Sequence, residues 1–141
     1  MMKRHASAAW KGGLKDGKGT ISADSGFLTN VPYSFSRRFE NEPGTNPEEL
    51  VAAAHAACFA MAFSGELGKL GLTPESLEAK ATLSFEKGEV GWETTESHLE
   101  VIGKVPGADN GKFQQAAEAA RSGCPISRLL KTKITLDAKL A

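Results

Sequence analysis

The feature that most constrains this chain is the run PEELVAAAHAACFAMAF, residues 47–63. Asn46 is a predicted N-cap, Pro47 suits the first helical position, and Glu49 stands where a capping box places its acid. From Val51 to Phe63 the one polar side chain besides the thiol is His55. A helix apolar on every side must be covered on every side. With 141 residues the chain has few other elements to wrap it, so a second copy is expected to share the task. The helix is expected to reach about Gly65 and, with a break, Gly71.

The other segments read as strands and shorter helices. Ala6–Lys11 and Thr20–Ala23 flank a Gly-rich stretch holding Asp16-Gly17, a hairpin signature. VPYSFSRRF alternates, with Tyr33, Phe35, Arg37 and Phe39 on one face and Ser34, Ser36 and Arg38 on the other, and reads as a strand. Leu77–Phe85 and His98–Val105 alternate in the same way. Lys112–Ser122 has a helical stripe of Phe113, Ala116, Ala117 and Ala120. Pro125 can open a short helix through Leu130 with Cys124 at its cap, and Ile134–Leu140 is a last strand. Strands, helix, strands, helix and strand make an α+β chain, read as one domain over residues 1–141.

Lys and Arg total 17, as do Asp and Glu. A chain without net charge argues against a general binder of nucleic acid or of a membrane surface. MMKRHASAAWKGG has no apolar core of a secretory signal, and no uninterrupted apolar run reaches membrane-span length. A reducing cytoplasm is the expected compartment, where two cysteines are more often free, catalytic or metal-bound than bridged.

Cys58 has two readings. In an apolar helix, desolvation disfavours the thiolate, and the residue is then a small core hydrophobe. For chemistry it needs a nearby cation, either His55 one helical turn back or an arginine. Arg37 and Arg38 are the candidates, and alternation turns one of them inward, with Glu48 or Glu49 as its partner. Otherwise these acids simply favour a helix start. Glu48 lies about 15 Å from Cys58 along one helix, so it serves that thiol through the arginine or serves the thiol of a second subunit. Cys124, beside Pro125, is either an incidental cap or an accessible thiol of somewhat lowered pKa. A zinc site on His55, Cys58 and Cys124 lacks the paired-ligand motifs such sites use. A Cys58–His55 hydrolase lacks a glycine-rich elbow for an oxyanion hole. His5 and His98 read as surface strand residues.

Arg38-Phe39-Glu40, GTNPEELVAAAHAACFAMAF (44–63), Gly123-Cys124-Pro125-Ile126-Ser127 and ITLDAKL (134–140) together resemble the OsmC/Ohr thiol peroxidases, most closely the OsmC branch. The likeness spans roughly residues 6–140. It implies an intertwined homodimer, with two central buried helices between antiparallel sheets to which both chains contribute, and active sites at the subunit interface. By motif position Cys58 matches the peroxidatic cysteine, Cys124 the resolving one, Glu48 the acid and Arg38 the arginine it holds, although alternation favours Arg37. The implied activity is reduction of organic hydroperoxides, and of hydrogen peroxide too, through a sulfenic acid and a Cys58–Cys124 disulfide. A dithiol, such as a lipoyl group on a lipoylated protein, resets it. No metal, flavin, haem or other cofactor is required. Ala54, Phe59 and Phe63 would line the wall for the organic tail. The alternative is a redox or ligand-binding module of this fold without turnover.

Overall fold

In the computed structural model, which describes residues 1–141, the chain forms two units, Met1–Leu50 and Val51–Ala141. The first holds strands β1 (Ala6–Lys11), β2 (Lys18–Ala23) and β3 (Val31–Tyr33), helix α1 (Phe35–Phe39), and the start of helix α2 (Pro47–Lys69). β1 and β2 pair antiparallel from Ala6 opposite Ala23 to Lys11 opposite Lys18, as the Asp-Gly turn predicts. Gly17 is required there, because a Cβ at that position would run into the carbonyls of Gly13 and Lys11.

The strand expected over VPYSFSRRF stops at Tyr33. Ser34 then caps α1, its hydroxyl accepting from the backbone N–H of Arg37 at 3.2 Å. That local bond offers the backbone a helical turn in place of the sheet ladder. Alternation therefore does not govern Arg37 and Arg38, which sit on a helix.

The second unit continues α2 and adds β4 (Ser76–Lys87), β5 (Trp92–Lys104), α3 (Asn110–Gly123), α4 (Pro125–Leu129) and β6 (Lys133–Leu140). Its sheet runs in the order β4-β5-β6. β4 and β5 are antiparallel, but β5 and β6 pair in parallel, from Glu96 opposite Lys133 to Gly103 opposite Leu140. The sheet is thus mixed, where an antiparallel one was expected. The chain reaches β6 through α3 and α4, the crossover that a parallel neighbour demands.

The core lies on one face of this sheet. Ser97, Leu99, Val101 and Gly103 of β5 point into it, and the alternate residues point out. Phe113, Ala116, Ala117 and Ala120 of α3 pack against Phe59, Phe63 and Leu67 of α2. The Phe63 and Phe113 ring centroids are 5.0 Å apart.

α2 is continuous over 23 residues. By length and composition it is apolar enough to cross a membrane, which the sequence reading did not anticipate. In this chain it buries one stripe, His55, Phe59, Phe63 and Leu67, at i, i+4 spacing in the core. Ala53, Ala54, Ala57 and Met61 are exposed, Met61 to 81%. The helix is apolar on all sides, yet a single chain buries only one of them.

Candidate active site

In the first unit, α1 and the start of α2 hold a guanidinium and a carboxylate together. Arg38 Nε donates to both oxygens of Glu48, the longer bond at 3.1 Å. The Glu48 side chain is 9% exposed and that of Arg38 42%. The acid is committed, while the outer edge of the guanidinium stays available. Its carbon lies 4.9 Å from the Phe39 ring centroid, a cation–π distance. Asn46 caps α2 as predicted, its Oδ1 accepting from Glu49 N–H at 2.8 Å. Its amide also donates to the Arg37 carbonyl at 3.2 Å, tying the end of α1 to the start of α2. Glu49 does not complete a capping box, because its carboxylate accepts from the Thr45 hydroxyl. Arg37 makes only a 4.0 Å contact with Glu42. Of the two arginines, Arg38 is the one paired with a buried acid.

Beside Arg38 lies a cavity of ≈ 240 Å³ lined by Trp10, Leu14, Tyr33, Phe35 and Phe39. Sequence reasoning missed it, since its walls come from β1, β3, α1 and the hairpin loop. Its one signal was the density of aromatics around Arg38.

In the second unit the two thiols meet. Both cysteines are free, Cys124 buried and Cys58 half-buried. Burial pushes the Cys58 thiol above its ordinary range. A hydrogen bond from the Ile126 backbone pulls it back, and the neighbouring Cys124 side chain raises it further through a hydrogen bond and charge repulsion. Cys124 caps α4, its Sγ accepting from Ser127 N–H at 3.3 Å. The Pro125-Ile126-Ser127 turn therefore offers one N–H to each sulfur.

A third constellation was not foreseen. His55, fully buried, bonds Ser97 Oγ through Nδ1 at 2.6 Å and Ser127 Oγ through Nε2 at 2.7 Å. Desolvation lowers its pKa, so the ring is held neutral. It is engaged on both nitrogens and is not a free cation for Cys58. Ser127 in turn bonds Cys124 Sγ at 3.2 Å.

Phe59 and Phe63 are wholly buried core residues and offer no surface to a ligand, whereas Ala54 is exposed. His5 is exposed and His98 is half-buried on β5, bonded to Thr135 at 2.6 Å.

A family model described as OsmC-like protein matches residues 39–139. Peroxiredoxin OsmC of Escherichia coli is 47% identical over 137 residues, covering 97% of this chain and 96% of that protein. The chain belongs to the OsmC family. The crystal structure of the organic hydroperoxide resistance protein OhrB of Bacillus subtilis superposes with a TM-score of 0.72 at 26% identity, covering 97% of this chain and 98% of that one. An OsmC-like protein from Mycoplasma pneumoniae shares the fold with a TM-score of 0.76 at 16% identity, covering 99% and 98%. Within this OsmC chain, both cysteines, Glu48 and the Ser97–His55–Ser127 chain fall inside the matched segment, and Arg38 stands one residue before it.

Proposed function

We propose that this chain is a thiol-dependent peroxidase, an oxidoreductase that reduces organic hydroperoxides. The carrying observation is the juxtaposition of two free thiols, Cys58 and Cys124, each given a backbone N–H by one short turn. Peroxiredoxin and organic hydroperoxide resistance relatives support the same reading.

The Cys58 thiolate attacks a peroxide oxygen. An S–O bond forms, the O–O bond breaks, and the alkoxide leaves to be protonated as the alcohol. Cys58 becomes a sulfenic acid. Cys124 condenses with it, giving a Cys58–Cys124 disulfide and water. A dithiol reductant, such as a lipoyl group on a lipoylated protein, restores both thiols by exchange. Burial works against the Cys58 thiolate, so the reaction needs a cation. Arg38 fills that role, stabilising the thiolate and the leaving oxygen, and Glu48 fixes its fork. The aromatic walls of the cavity beside Arg38 suit an apolar ligand. The chain acts as one OsmC domain in a homodimer, since one chain leaves an apolar face of α2 open. The redox cycle suits a reducing cytoplasm, where dithiols are plentiful.

The test titrates free thiols under cumene hydroperoxide. Two thiols per chain should be lost for each peroxide consumed, and a dithiol should recover them. Cys58→Ser should abolish consumption. Cys124→Ser should consume peroxide once, leave a sulfenic acid and over-oxidise. Thiols untouched by the peroxide, or dithiol-dependent turnover in Cys58→Ser, would overturn the assignment.

A further inference from the structure

Resolution of the sulfenic acid requires Cys124 to lose a proton, and Cys124 is 1% exposed. Water has little access to that sulfur. A continuous chain of hydrogen bonds does reach it, and with the proton of His55 on Nδ1 every donor along it has an acceptor. The Cys124 thiol donates to Ser127 Oγ at 3.2 Å. The Ser127 hydroxyl, with one proton to give, donates to His55 Nε2 at 2.7 Å. The ring then carries its proton on Nδ1 and donates to Ser97 Oγ at 2.6 Å. Ser97, His55 and Cys124 are almost completely buried, and Ser127 is 6% exposed. Three polar side chains from α2, β5 and α4 are thus aligned inside an apolar core, where each would be costly without its partners.

We propose that His55 is the proton acceptor for the resolving thiol, reached through Ser127 and held in the accepting tautomer by Ser97. The inference rests on the peroxidase reading above. Ser127 touches the reacting sulfur and is a catalytic residue in the resolving step. His55 and Ser97 act through it as positioning residues. As Cys124 approaches the sulfenic acid, its S–H proton moves to Ser127 Oγ while the Ser127 proton moves to His55 Nε2. The Cys124 sulfur attacks the Cys58 sulfur, the S–S bond forms and the S–O bond breaks. The hydroxide leaves and takes up a proton as water, and the imidazolium later releases the proton it received. Cys124 is oxidised and the sulfenic sulfur reduced, and in net terms one thiol proton ends on the departing water. The Ser127 backbone N–H, 3.3 Å from Cys124 Sγ, steadies the thiolate as it forms. Desolvation keeps the imidazole neutral beforehand, so that it can accept.

The experiment separates the two chemical steps in single turnovers with cumene hydroperoxide. Sulfenic acid formation is followed by dimedone trapping, and disulfide formation by acid quench and mass. In Ser127→Ala and His55→Asn, the first step should stay within about twofold of the wild type. The second should slow by about a hundredfold, with sulfinic acid accumulating, and Ser127→Thr should restore it. A second arm dispenses with peroxide: in a Cys58→Ser background, Cys124 is the sole thiol, and its reaction with methyl methanethiosulfonate is timed. Ser127→Ala and His55→Asn should slow that reaction by about tenfold or more. An unchanged disulfide-forming step, equal loss of both steps, or an unchanged Cys124 rate in the second arm would overturn the proposal. A wild-type chain inert to peroxide but showing the second-arm loss would overturn the peroxidase reading while leaving the proton path standing.

Discussion

At the scale of single residues, Arg38 is the most informative target after the thiols. Its Nε holds the Glu48 carboxylate while the rest of the guanidinium remains partly exposed. Lysine would keep the charge but lose the fork, so Arg38→Lys tests geometry apart from charge. We expect kcat/KM for an organic hydroperoxide to fall by about a hundredfold, and by less in Glu48→Gln. Unchanged steady-state peroxide consumption in Arg38→Lys would remove the arginine from the chemistry. His55 makes a stability prediction of definite sign. Its folded pKa lies below the ordinary 6.5 because burial disfavours the charged ring. Below pH 6.5 the unfolded chain takes up a proton that the folded one does not, so stability is lost as pH falls through that range. Urea midpoints at pH 7.5 and 5.5 should therefore diverge more in the wild type than in His55→Asn. The thiols, Arg38 and Glu48 were each nameable from sequence, because short motifs carry them. The Ser97–His55–Ser127 chain was not, since its members lie far apart along the chain and only the packing of α2, β5 and α4 aligns them.

At the scale of elements, helix signals written in adjacent residues proved readable and non-local pairing did not. Asn46, Pro47, Cys124 and Pro125 mark helix starts that the structure contains. The alternation in β4, β5 and β6 also matches strands, but alternation carries no direction, so the parallel β5–β6 pair was invisible. α1 was misread because its aromatics alternate, while the Ser34 cap that decides the matter is a single hydroxyl. Packing between elements sets its own limits. Gly103 of β5 faces α3 so closely that an added Cβ would lie 2.7 Å from Phe113 Cε2 and 2.9 Å from Leu77 Cδ2. Both neighbours belong to the core or its border and have little room to retreat. Gly103→Ala should lower stability by about 1–3 kcal/mol through overpacking. A thermal melt equal to the wild type would mean that Phe113 and Leu77 can shift at no cost.

For the whole molecule, the open face of α2 decides what else must be present. Ala53, Ala54, Ala57 and Met61 form an apolar surface on a helix whose other face is core. Exposed apolar residues in a contiguous stripe mark an interaction surface more often than isolated ones do. Small alanines let a second helix approach closely, and the same stripe on a second copy is complementary to it about a two-fold axis. The sequence reading expected a helix covered on all sides. One chain covers a single side, so the unfilled part of that expectation is the argument for a homodimer. Light scattering should therefore give a mass twice the 14.9 kDa of one chain. Met61→Arg places a charge at the centre of the stripe, where a dimer would have to bury it unpaired. It should shift the mass toward one chain and remove most peroxidase activity, while Met61→Leu should keep both. The Met61→Arg chain still buries the Phe59, Phe63 and Leu67 face, so circular dichroism should show its helices retained. A monomeric Met61→Arg variant with full activity would show that each chain carries a complete site by itself.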